Sequence, residues 1–163
     1  MLNHHYTVPA QKFALDIVAL NSLGFRCKGF YPKKLNSYVI FGEAVFAPVN
    51  GMIVKVIDGL PDLIPPERNR THIAGNHVVI HVDKNKYLII AHLKKDSIVV
   101  NEGAYVFQGR MIAKVGNSGN TTEPHLHIHC VQTTEADYFR QGKGIPMVYK
   151  DRFLVRNDVL TET

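Results

Sequence analysis

Short runs rich in valine and isoleucine recur between residues 52 and 131 and are separated by residues that favour turns. Runs of this kind are typical of β-strands, because β-branched side chains pack well on a pleated surface. They lie at residues 52–57, 77–82, 87–90, 97–100, 111–115 and 126–131. Their regular spacing predicts a mainly β fold, an antiparallel β-sandwich or open barrel-like sheet, with long loops and no long amphipathic helix.

Two longer segments interrupt this pattern, at residues 19–40 and 58–75. The first combines two glycines with several aromatic residues, and the second contains three prolines and two arginines. Long irregular connections are uncommon in compact domains and often border functional sites. We interpret these segments either as walls of a binding groove or as surface insertions on a single domain.

The composition restricts the classes of function that suit this chain. A net charge of +5 suits an anionic partner such as nucleic acid, acidic lipid or an acidic wall polymer. The basic residues are scattered without interleaved aromatic residues, so we predict no nucleic-acid partner. No segment has the roughly 20 consecutive apolar residues of a membrane helix, so we predict no stable membrane insertion.

Two further features of the sequence leave the cellular compartment of the protein open. The first thirty residues do not form an export signal, which leaves either an intracellular protein or a mature or trimmed form of an exported one. The two cysteines, Cys27 and Cys130, are compatible with free thiols or with one disulfide bond.

Residues 124–131 read Pro-His-Leu-His-Ile-His-Cys-Val and include the most informative of the predicted strands. Alternate side chains of a strand share a face, so His125, His127 and His129 point one way while the intervening residues point to the core. Three imidazoles on one face all need polar partners. Imidazole is also the commonest metal ligand among side chains. The alternation therefore predicts a metal-binding or catalytic surface.

Two further residues are candidates for the same site. His92 follows the apolar run at 87–90, and Asp16 lies inside the apolar segment Phe-Ala-Leu-Asp-Ile. An unpaired carboxylate is costly to bury, and a metal ion would compensate its charge. Two imidazoles, one carboxylate and an open position form a catalytic zinc site. The alternatives are a solvent-facing Asp16 on an edge strand and a His92 satisfied at a strand end.

Several motifs follow one another in a recognisable order, from an Asn-x-His segment at residue 3 to Pro-His-Leu-His at 124–127. Between them come Phe-Ala-Leu-Asp-Ile, Val-Phe-Ala-Pro-Val-Asn-Gly-Met-Ile-Val, Ala-His-Leu and Val-Phe-Gln-Gly-Arg-Met-Ile-Ala-Lys-Val-Gly-Asn-Ser-Gly. This series resembles the lysostaphin-type (LytM-like) zinc metalloendopeptidases, which cut peptide cross-links or stems in bacterial peptidoglycan.

The resemblance covers about residues 3–131 and carries expectations for the fold. It implies a mostly antiparallel sheet that holds the metal in a narrow groove. We therefore predict a single peptidase domain over residues 1–163, in which residues 132–163 form a C-terminal extension packed on the core.

The resemblance also implies roles for individual residues. Carried over position by position, it makes Asp16 and His127 ligands of Zn²⁺ and makes His92 and His125 the catalytic pair. Zinc lowers the pKa of a bound water and polarises the scissile carbonyl. One of the two catalytic histidines then accepts the proton of the water or hydrogen-bonds the developing oxyanion, and the sequence does not assign the two roles separately.

One position departs from the usual pattern of the family. Most members place the first ligand histidine four residues before the aspartate, where this chain has Lys12, an ammonium that cannot bind zinc. A subset with longer spacing supplies the histidine further upstream, in an Asn-x-His context. That context points to His5 as the first ligand, with His4 as the alternative.

Three residues are candidates for contact with substrate. Position 129, often acidic in the family, is His129 here, and we interpret it as a residue at the rim of the groove and not as a fourth ligand. Tyr38 and His72 lie in the two long segments and are the other candidates. The alternative is that both are ordinary loop residues.

These expectations together predict a zinc-dependent endopeptidase that acts on peptidoglycan in a secreted, periplasmic or wall-associated location. A catalytically degenerate wall-binding or regulatory member of the same fold is one alternative. A non-haem iron enzyme is another, because two histidines and one carboxylate also describe its metal site. A nucleic-acid-binding β-barrel rests on net charge alone. The sequence indicates neither the bond that is cut nor any partner protein.

Overall fold

The computed structural model describes residues 4–30, 32–155 and 157–161, apart from the side chains of residues 4 and 6. Strands and three short 3₁₀ turns make up its secondary structure. The 3₁₀ turns span His4–Thr7, Pro9–Gln11 and Leu35–Ser37. The strands are β1 (Leu15–Ile17), β2 (Ala44–Phe46), β3 (Gly51–Ile57), β4 (Asn76–Asp83), β5 (Lys86–Leu93), β6 (Tyr105–Val106), β7 (Met111–Lys114), β8 (Leu126–Gln132), β9 (Lys143–Ile145), β10 (Val148–Tyr149) and β11 (Arg152–Phe153). None of the helical turns in these ranges is long and apolar enough to cross a membrane.

One large antiparallel sheet dominates the fold. Its strands follow the order β1-β8-β5-β4-β3-β6, and β9 also pairs with β8. Strands β2 and β7 form a small second sheet, and β10 and β11 form a separate hairpin-like pair. The prediction of a mainly β, antiparallel fold is confirmed.

The main hydrophobic core lies between the large sheet and the β2–β7 sheet. It joins Val45 of β2 and Ala113 of β7 to Ile53, Ile80 and Ile90 of the large sheet. All five side chains are almost completely buried. Burying a large apolar side chain contributes about 1.5–3 kcal/mol, so this contact layer holds the two sheets together as a sandwich.

The opposite face of the large sheet carries a smaller buried cluster and the histidines of β8. Ala91 pairs with His127 and Ile89 pairs with His129 across the β5–β8 ladder. Directly paired residues of antiparallel strands share a face. Since Ala91 and Ile89 belong to this second cluster, the two histidines lie on the face that is turned away from the main core.

The predicted strands coincide with β3, β4, β5, β7 and β8, with one exception. Residues 97–100 do not form a strand, so that prediction is wrong. Their backbone is held by other partners, because the Asp58 carboxylate accepts the N–H of Ile98 at 3.2 Å. The N–H of Val99 makes a single ladder-like bond, to the Ile112 carbonyl at 2.9 Å.

The described residues of segments 19–40 and 58–75 are irregular, as their composition predicts. Each contributes to one isolated β-bridge. The first segment contains the bridge between Cys27 and Tyr38, and the second is joined to Ser118 through Asp62. Cys27 and Cys130 are free thiols, and Cys130 packs against the main core. The core side of β8 is therefore apolar, which fixes its histidines on the other face.

The segment after β8 folds back onto the N-terminal turns. Gly144 of β9 lies so close to the 3₁₀ turn Pro9–Gln11 that an added Cβ would be 2.9 Å from the carbonyl oxygens of Pro9 and Ala10. The expectation that residues 132–163 form an extension of a single domain stays a prediction, and the contact of β9 with this turn agrees with it.

Candidate metal centre

Strand β1 brings Asp16 to the histidine-bearing strand. Asp16 pairs directly with His127 in the antiparallel register of β1 and β8, so the two side chains share a face. The Asp16 Oδ1 atom lies 2.8 Å from His127 Nδ1. Asp16 keeps 37% of its side chain exposed, whereas that of His127 is only 1% exposed. The carboxylate therefore lies between a buried imidazole and solvent.

The first 3₁₀ turn supplies a second imidazole. His5 is buried, and its Nε2 atom lies 2.8 Å from the other carboxylate oxygen, Asp16 Oδ2. Donor atoms of His5, Asp16 and His127 all lie within 4.8 Å of one another. The side chain of the alternative ligand, His4, lies outside the described residues. Lys12, four residues before Asp16, is exposed.

The predicted catalytic pair lies beside this group. His125 immediately precedes β8, and its Nε2 atom is 3.6 Å from Asp16 Oδ1. The ring centroids of His92 and His125 are 4.8 Å apart, and those of His92 and His127 are 5.8 Å apart. His92, His125 and His127 thus form a second possible metal-binding group that shares His127 with the first.

The backbone of His92 has an unusual conformation. Its φ angle is 61°, in the left-handed region that costs a non-glycine residue about 1–3 kcal/mol. Three hydrogen bonds hold it there. The His92 N–H donates to the Ala74 carbonyl at 3.0 Å, the His92 carbonyl accepts from Gly116 N–H at 3.0 Å, and Nδ1 donates to the Ser118 carbonyl at 2.9 Å. Left-handed residues of this kind concentrate at functional sites.

Backbone carbonyls fix the orientation of the two catalytic candidates. The Ser118 carbonyl faces His92 Nδ1, and the Glu123 carbonyl faces His125 Nδ1 at 2.8 Å. Because a carbonyl only accepts hydrogen bonds, the Nδ1 atom of each ring must carry the proton. In the neutral ring the Nε2 atom then has a free lone pair. For His125 that atom faces Asp16.

The proton positions of the other two imidazoles, those of His5 and His127, are fixed in a similar way, each through one neighbouring side chain. His5 Nδ1 lies 2.9 Å from Gln11 Oε1, and an amide oxygen accepts only, so His5 carries its proton on Nδ1. His127 Nε2 lies 2.9 Å from His129 Nδ1. His129 uses its own Nε2 to donate to the Tyr138 carbonyl at 3.3 Å, so its Nδ1 is the acceptor.

The donor set fits a bound cation. With these tautomers, neutral His5 and His127 each direct a lone pair at a carboxylate oxygen 2.8 Å away, so an acceptor faces an acceptor twice. A positive charge among these atoms, either a proton or a metal ion, removes the conflict. Two imidazole nitrogens and one carboxylate are the donors that catalytic zinc prefers, with a further position for water.

The ionisation of the group agrees with this picture. Burial alone would raise the pKa of Asp16, but the imidazoles of His127 and His5, which donate to the carboxylate when they are protonated, hold it well below its usual range. Burial lowers the pKa of His127, and burial together with the other imidazoles lowers the pKa of His92 strongly. Burial also lowers the pKa of His5, but Asp16 and Gln11 together more than offset this and leave it raised.

The structure corrects the interpretation of His129. This residue does not lie at a groove rim, because it is completely buried behind His127. Strand alternation puts it on the same face as His127, and the Phe139 side chain covers that face with its ring centroid 5.3 Å from each of the two imidazoles. Burial and the neighbouring His127 lower the pKa of His129 to about 3, so it is neutral near pH 7.

The other two candidates for substrate contact lie in different surroundings. His72 is exposed and lines a cavity of about 390 Å³ whose walls include Ala74 and Phe139. Tyr38 is buried, and burial and then its neighbours Cys27 and Glu123 raise its pKa. Contact of either residue with substrate stays a prediction.

Sequence reasoning missed several residues that support the site. Gln11 holds His5, and the carbonyls of Ser118 and Glu123 hold the catalytic candidates. Arg26 forms an ion pair with Glu123, which links the first long segment to the turn before β8. A backbone carbonyl leaves no signature in a sequence, and Arg26 has no fixed spacing from the histidines that would have revealed it.

Gly75 offers a test of how tightly the His92 support is packed. Its φ is 60°, and an added Cβ would lie 2.3 Å from the Ser118 carbonyl oxygen that accepts from His92. We expect Gly75→Ala to lower the free energy of unfolding by about 1–3 kcal/mol or more, measured by denaturant titration. Gly59→Ala is the matched control, because Gly59 has φ 88° with nothing near its Cβ position. Equal losses in both variants would mean that the close approach to Ser118 is unimportant.

Comparison with known proteins assigns a family. Residues 38–138 match peptidase family M23. The chain is 32% identical over 144 residues to the peptidoglycan DD-endopeptidase ShyB of Vibrio cholerae, over 78% of this chain and 31% of that protein. It is 34% identical over 91 residues to the peptidoglycan DD-endopeptidase ShyA of the same organism, over 52% of this chain and 20% of that protein. The chain therefore spans less than a third of the length of either relative.

Solved structures of similar proteins include two catalytic domains. A mutant catalytic domain of the prophage-encoded M23 protein EnpA from Enterococcus faecalis has a TM-score of 0.49 and 20% identity, over 79% of this chain and 92% of that chain. The catalytic domain of lysostaphin from Staphylococcus simulans has a TM-score of 0.47 and 22% identity, over 73% of this chain and 86% of that chain.

The family match includes three of the five residues that were predicted as metal ligands or catalytic residues. His92, His125 and His127 fall within residues 38–138, whereas His5 and Asp16 precede them. The case for the N-terminal pair therefore rests on the distances and tautomers above. The match covers more than half of the 163 residues and agrees with a relative that is 32% identical over 78% of the chain. This chain belongs to peptidase family M23.

Proposed function

We propose that this chain is a zinc-dependent endopeptidase that hydrolyses peptide bonds in the cross-links or stem peptides of bacterial peptidoglycan. One observation carries the proposal. Two buried imidazoles and one partly exposed carboxylate, those of His5, His127 and Asp16, have donor atoms within 4.8 Å of one another and lie beside two further oriented imidazoles. Membership of peptidase family M23 supports the reaction type. The names of the two Vibrio cholerae relatives, both peptidoglycan DD-endopeptidases, support the substrate.

In this proposal His5 Nε2, Asp16 and His127 Nδ1 hold the metal. Zinc bound by such a set lowers the pKa of a water molecule to about 7 and polarises the carbonyl that is attacked. The ionisation states of the ligands suit zinc binding. Burial keeps His127 neutral, so its lone pair is available to a metal, and Asp16 stays ionised because its pKa lies far below neutral pH.

His92 and His125 would transfer protons and stabilise the oxyanion. Each ring donates from Nδ1 to a backbone carbonyl, so Nε2 is left to accept a proton from the attacking water or, once protonated, to donate to the oxyanion or the leaving amine. The strongly lowered pKa of buried His92 makes it neutral in the resting protein. The geometry does not divide the two roles between them.

The surroundings of the group suit a peptide substrate. A cavity of about 390 Å³ has Ala74 and Phe139 in its walls, and these two residues also contact His92 and His127. We assign His72 and Tyr38 as substrate contacts in the same proposal. A peptidoglycan substrate implies a secreted, periplasmic or wall-associated location, where a net charge of +5 favours association with an anionic wall.

The test combines metal analysis with hydrolysis of purified peptidoglycan. We expect about one zinc per chain, release of new amino and carboxyl termini from peptidoglycan, loss of this activity with a chelator, and its recovery on adding zinc. Product analysis by chromatography and mass spectrometry identifies the bond that is cut. Zinc without any cleavage would indicate a wall-binding member, and iron in place of zinc would indicate an oxygen-dependent enzyme. Either result overturns the proposal.

A further inference from the structure

A chain of hydrogen bonds runs from His127 away from the metal-binding group. His127 donates from Nε2 to His129 Nδ1 at 2.9 Å, and His129 donates from Nε2 to the Tyr138 carbonyl at 3.3 Å. His127 and His129 are completely buried, with exposures of 1% and 0%. The order of donors is therefore fixed from the far end, because the Tyr138 carbonyl has no proton to give.

A second chain of hydrogen bonds runs from His5 and has the same form. His5 donates from Nδ1 to Gln11 Oε1 at 2.9 Å, and Gln11 donates from Nε2 to the Phe139 carbonyl at 2.9 Å. The carbonyl again fixes the order, because only the amide nitrogen of Gln11 can face it. Gln11 is 5% exposed.

The two chains of hydrogen bonds end on adjacent residues of one segment, Tyr138 and Phe139. We infer that Gln11 and His129 are positioning residues through which these two backbone carbonyls orient both imidazole ligands of the metal. This inference rests on the proposed zinc site. Each carbonyl selects one tautomer of its ligand, so that His5 offers Nε2 and His127 offers Nδ1 on the side of Asp16. A segment beyond β8 thereby controls the ligands at both ends of the chain.

Packing keeps this segment in place. The Phe139 ring covers His127 and His129 at centroid distances of 5.3 Å. Further along the chain, Gly144 of β9 lies against the backbone of the turn Pro9–Gln11, where even a methyl group would be within 2.9 Å of a carbonyl oxygen. These contacts hold the segment after β8 against both the imidazoles and the turn that carries Gln11, and residues that orient metal ligands in this way affect metal affinity.

Zinc affinity of the full chain tests the inference directly. We expect His129→Leu and Gln11→Leu each to weaken zinc binding by about 10- to 100-fold, measured by competition with a chromogenic chelator at pH 7. His129→Asn is expected to bind zinc more tightly than His129→Leu, because its amide oxygen takes the position of Nδ1 and accepts from His127. Zinc binding of the two leucine variants indistinguishable from wild type, or no gain from asparagine over leucine, overturns the inference.

Matched controls separate positioning from general loss of polar groups. His81 lies on β4 and stacks on Tyr87 at 5.1 Å, and Gln132 is exposed at the end of β8. His81→Leu and Gln132→Leu are expected to keep wild-type zinc affinity. If the wild-type chain binds no zinc, the proposed function fails. If it binds zinc and the leucine variants at 11 and 129 bind equally well, only the positioning role fails.

Nitrogen NMR of the wild-type protein provides a readout that does not depend on how the variants fold. In the zinc-loaded protein the histidine ¹⁵N spectrum is expected to show the proton on Nδ1 of His5 and on Nε2 of both His127 and His129. A proton on Nδ1 of His129 would reverse the direction of the bond to His127 and overturn the inference.

Discussion

Asp16→Asn is expected to remove both zinc and peptidoglycan hydrolysis while the fold remains intact. Asp16 supplies the only negative charge among the donor atoms of the metal-binding group formed with His5 and His127. The substitution keeps the shape of the side chain and removes that charge. Zinc affinity should fall by more than the roughly 10- to 100-fold typical of a residue one step removed from a metal. Metal content by mass spectrometry and product release from peptidoglycan measure the two losses.

The same substitution has an informative effect on the metal-free protein. In the wild type, neutral His5 and His127 direct lone pairs at the carboxylate oxygens at 2.8 Å. An amide at position 16 can donate to only one of these lone pairs, and it removes the charge that His5 and His127 stabilise. Because the pKa of Asp16 is held well below its usual range, the ionised carboxylate stabilises the folded protein near pH 7, and we expect Asp16→Asn to lower the free energy of unfolding of the metal-free protein.

Asp83→Asn is the control for Asp16→Asn. Asp83 ends β4 and pairs with Lys86 at 2.9 Å, on the exposed turn before β5. The Asp83→Asn protein should keep its zinc and its activity. An Asp16→Asn protein that retains stoichiometric zinc and full turnover would contradict the assignment of Asp16 as a ligand.

His125→Ala is expected to keep zinc and to lose turnover. His125 lies 3.6 Å from Asp16 through its Nε2 atom, farther than the 2.8 Å of His5 and His127, and its Nδ1 is committed to the Glu123 carbonyl. A residue that moves a proton in the reaction contributes about 10²- to 10⁴-fold to the rate. Turnover should fall by that factor while the metal content and zinc affinity stay near those of the wild type.

The result for His125→Ala also distinguishes the two metal-binding groups that share His127. If the ion is held by His92, His125 and His127, the variant loses its zinc, and the ligand assignment made here is wrong. His81→Ala is the matched control, since His81 lies on the neighbouring strand β4 and stacks on Tyr87 away from the group. It should retain both zinc and activity.

Side-chain periodicity explains why much of the fold could be predicted from the sequence. The alternation of apolar residues and histidines in residues 125–130 gives both the strand and its two faces, and the structure packs Leu126, Ile128 and Cys130 against the main core. Strands with several β-branched residues stand out in the same way. The two-residue strands β6, β10 and β11 carry too few residues to form a pattern.

What the sequence did not reveal depends on partners that lie far away along the chain. His129 was interpreted as a rim residue because strand alternation gives the face of a side chain but not what covers that face. Here Phe139 covers it. The support of the ligands by Tyr138 and Phe139 comes from backbone atoms, and every residue type has those. Residues 97–100 have the composition of a strand, but their hydrogen bonds go partly to a side chain, Asp58.

The pairing of β1 with β8 has a consequence for when the metal-binding group can form during synthesis. Asp16 and His127 are separated by 111 positions, so the group forms only after residue 127 has been synthesised and β1 has docked on β8. Contacts of such large sequence separation form slowly, because a long loop must close before they contribute any stability. A growing chain on the ribosome therefore lacks this group of side chains, and a metal ion that bound only the completed arrangement would favour the finished fold.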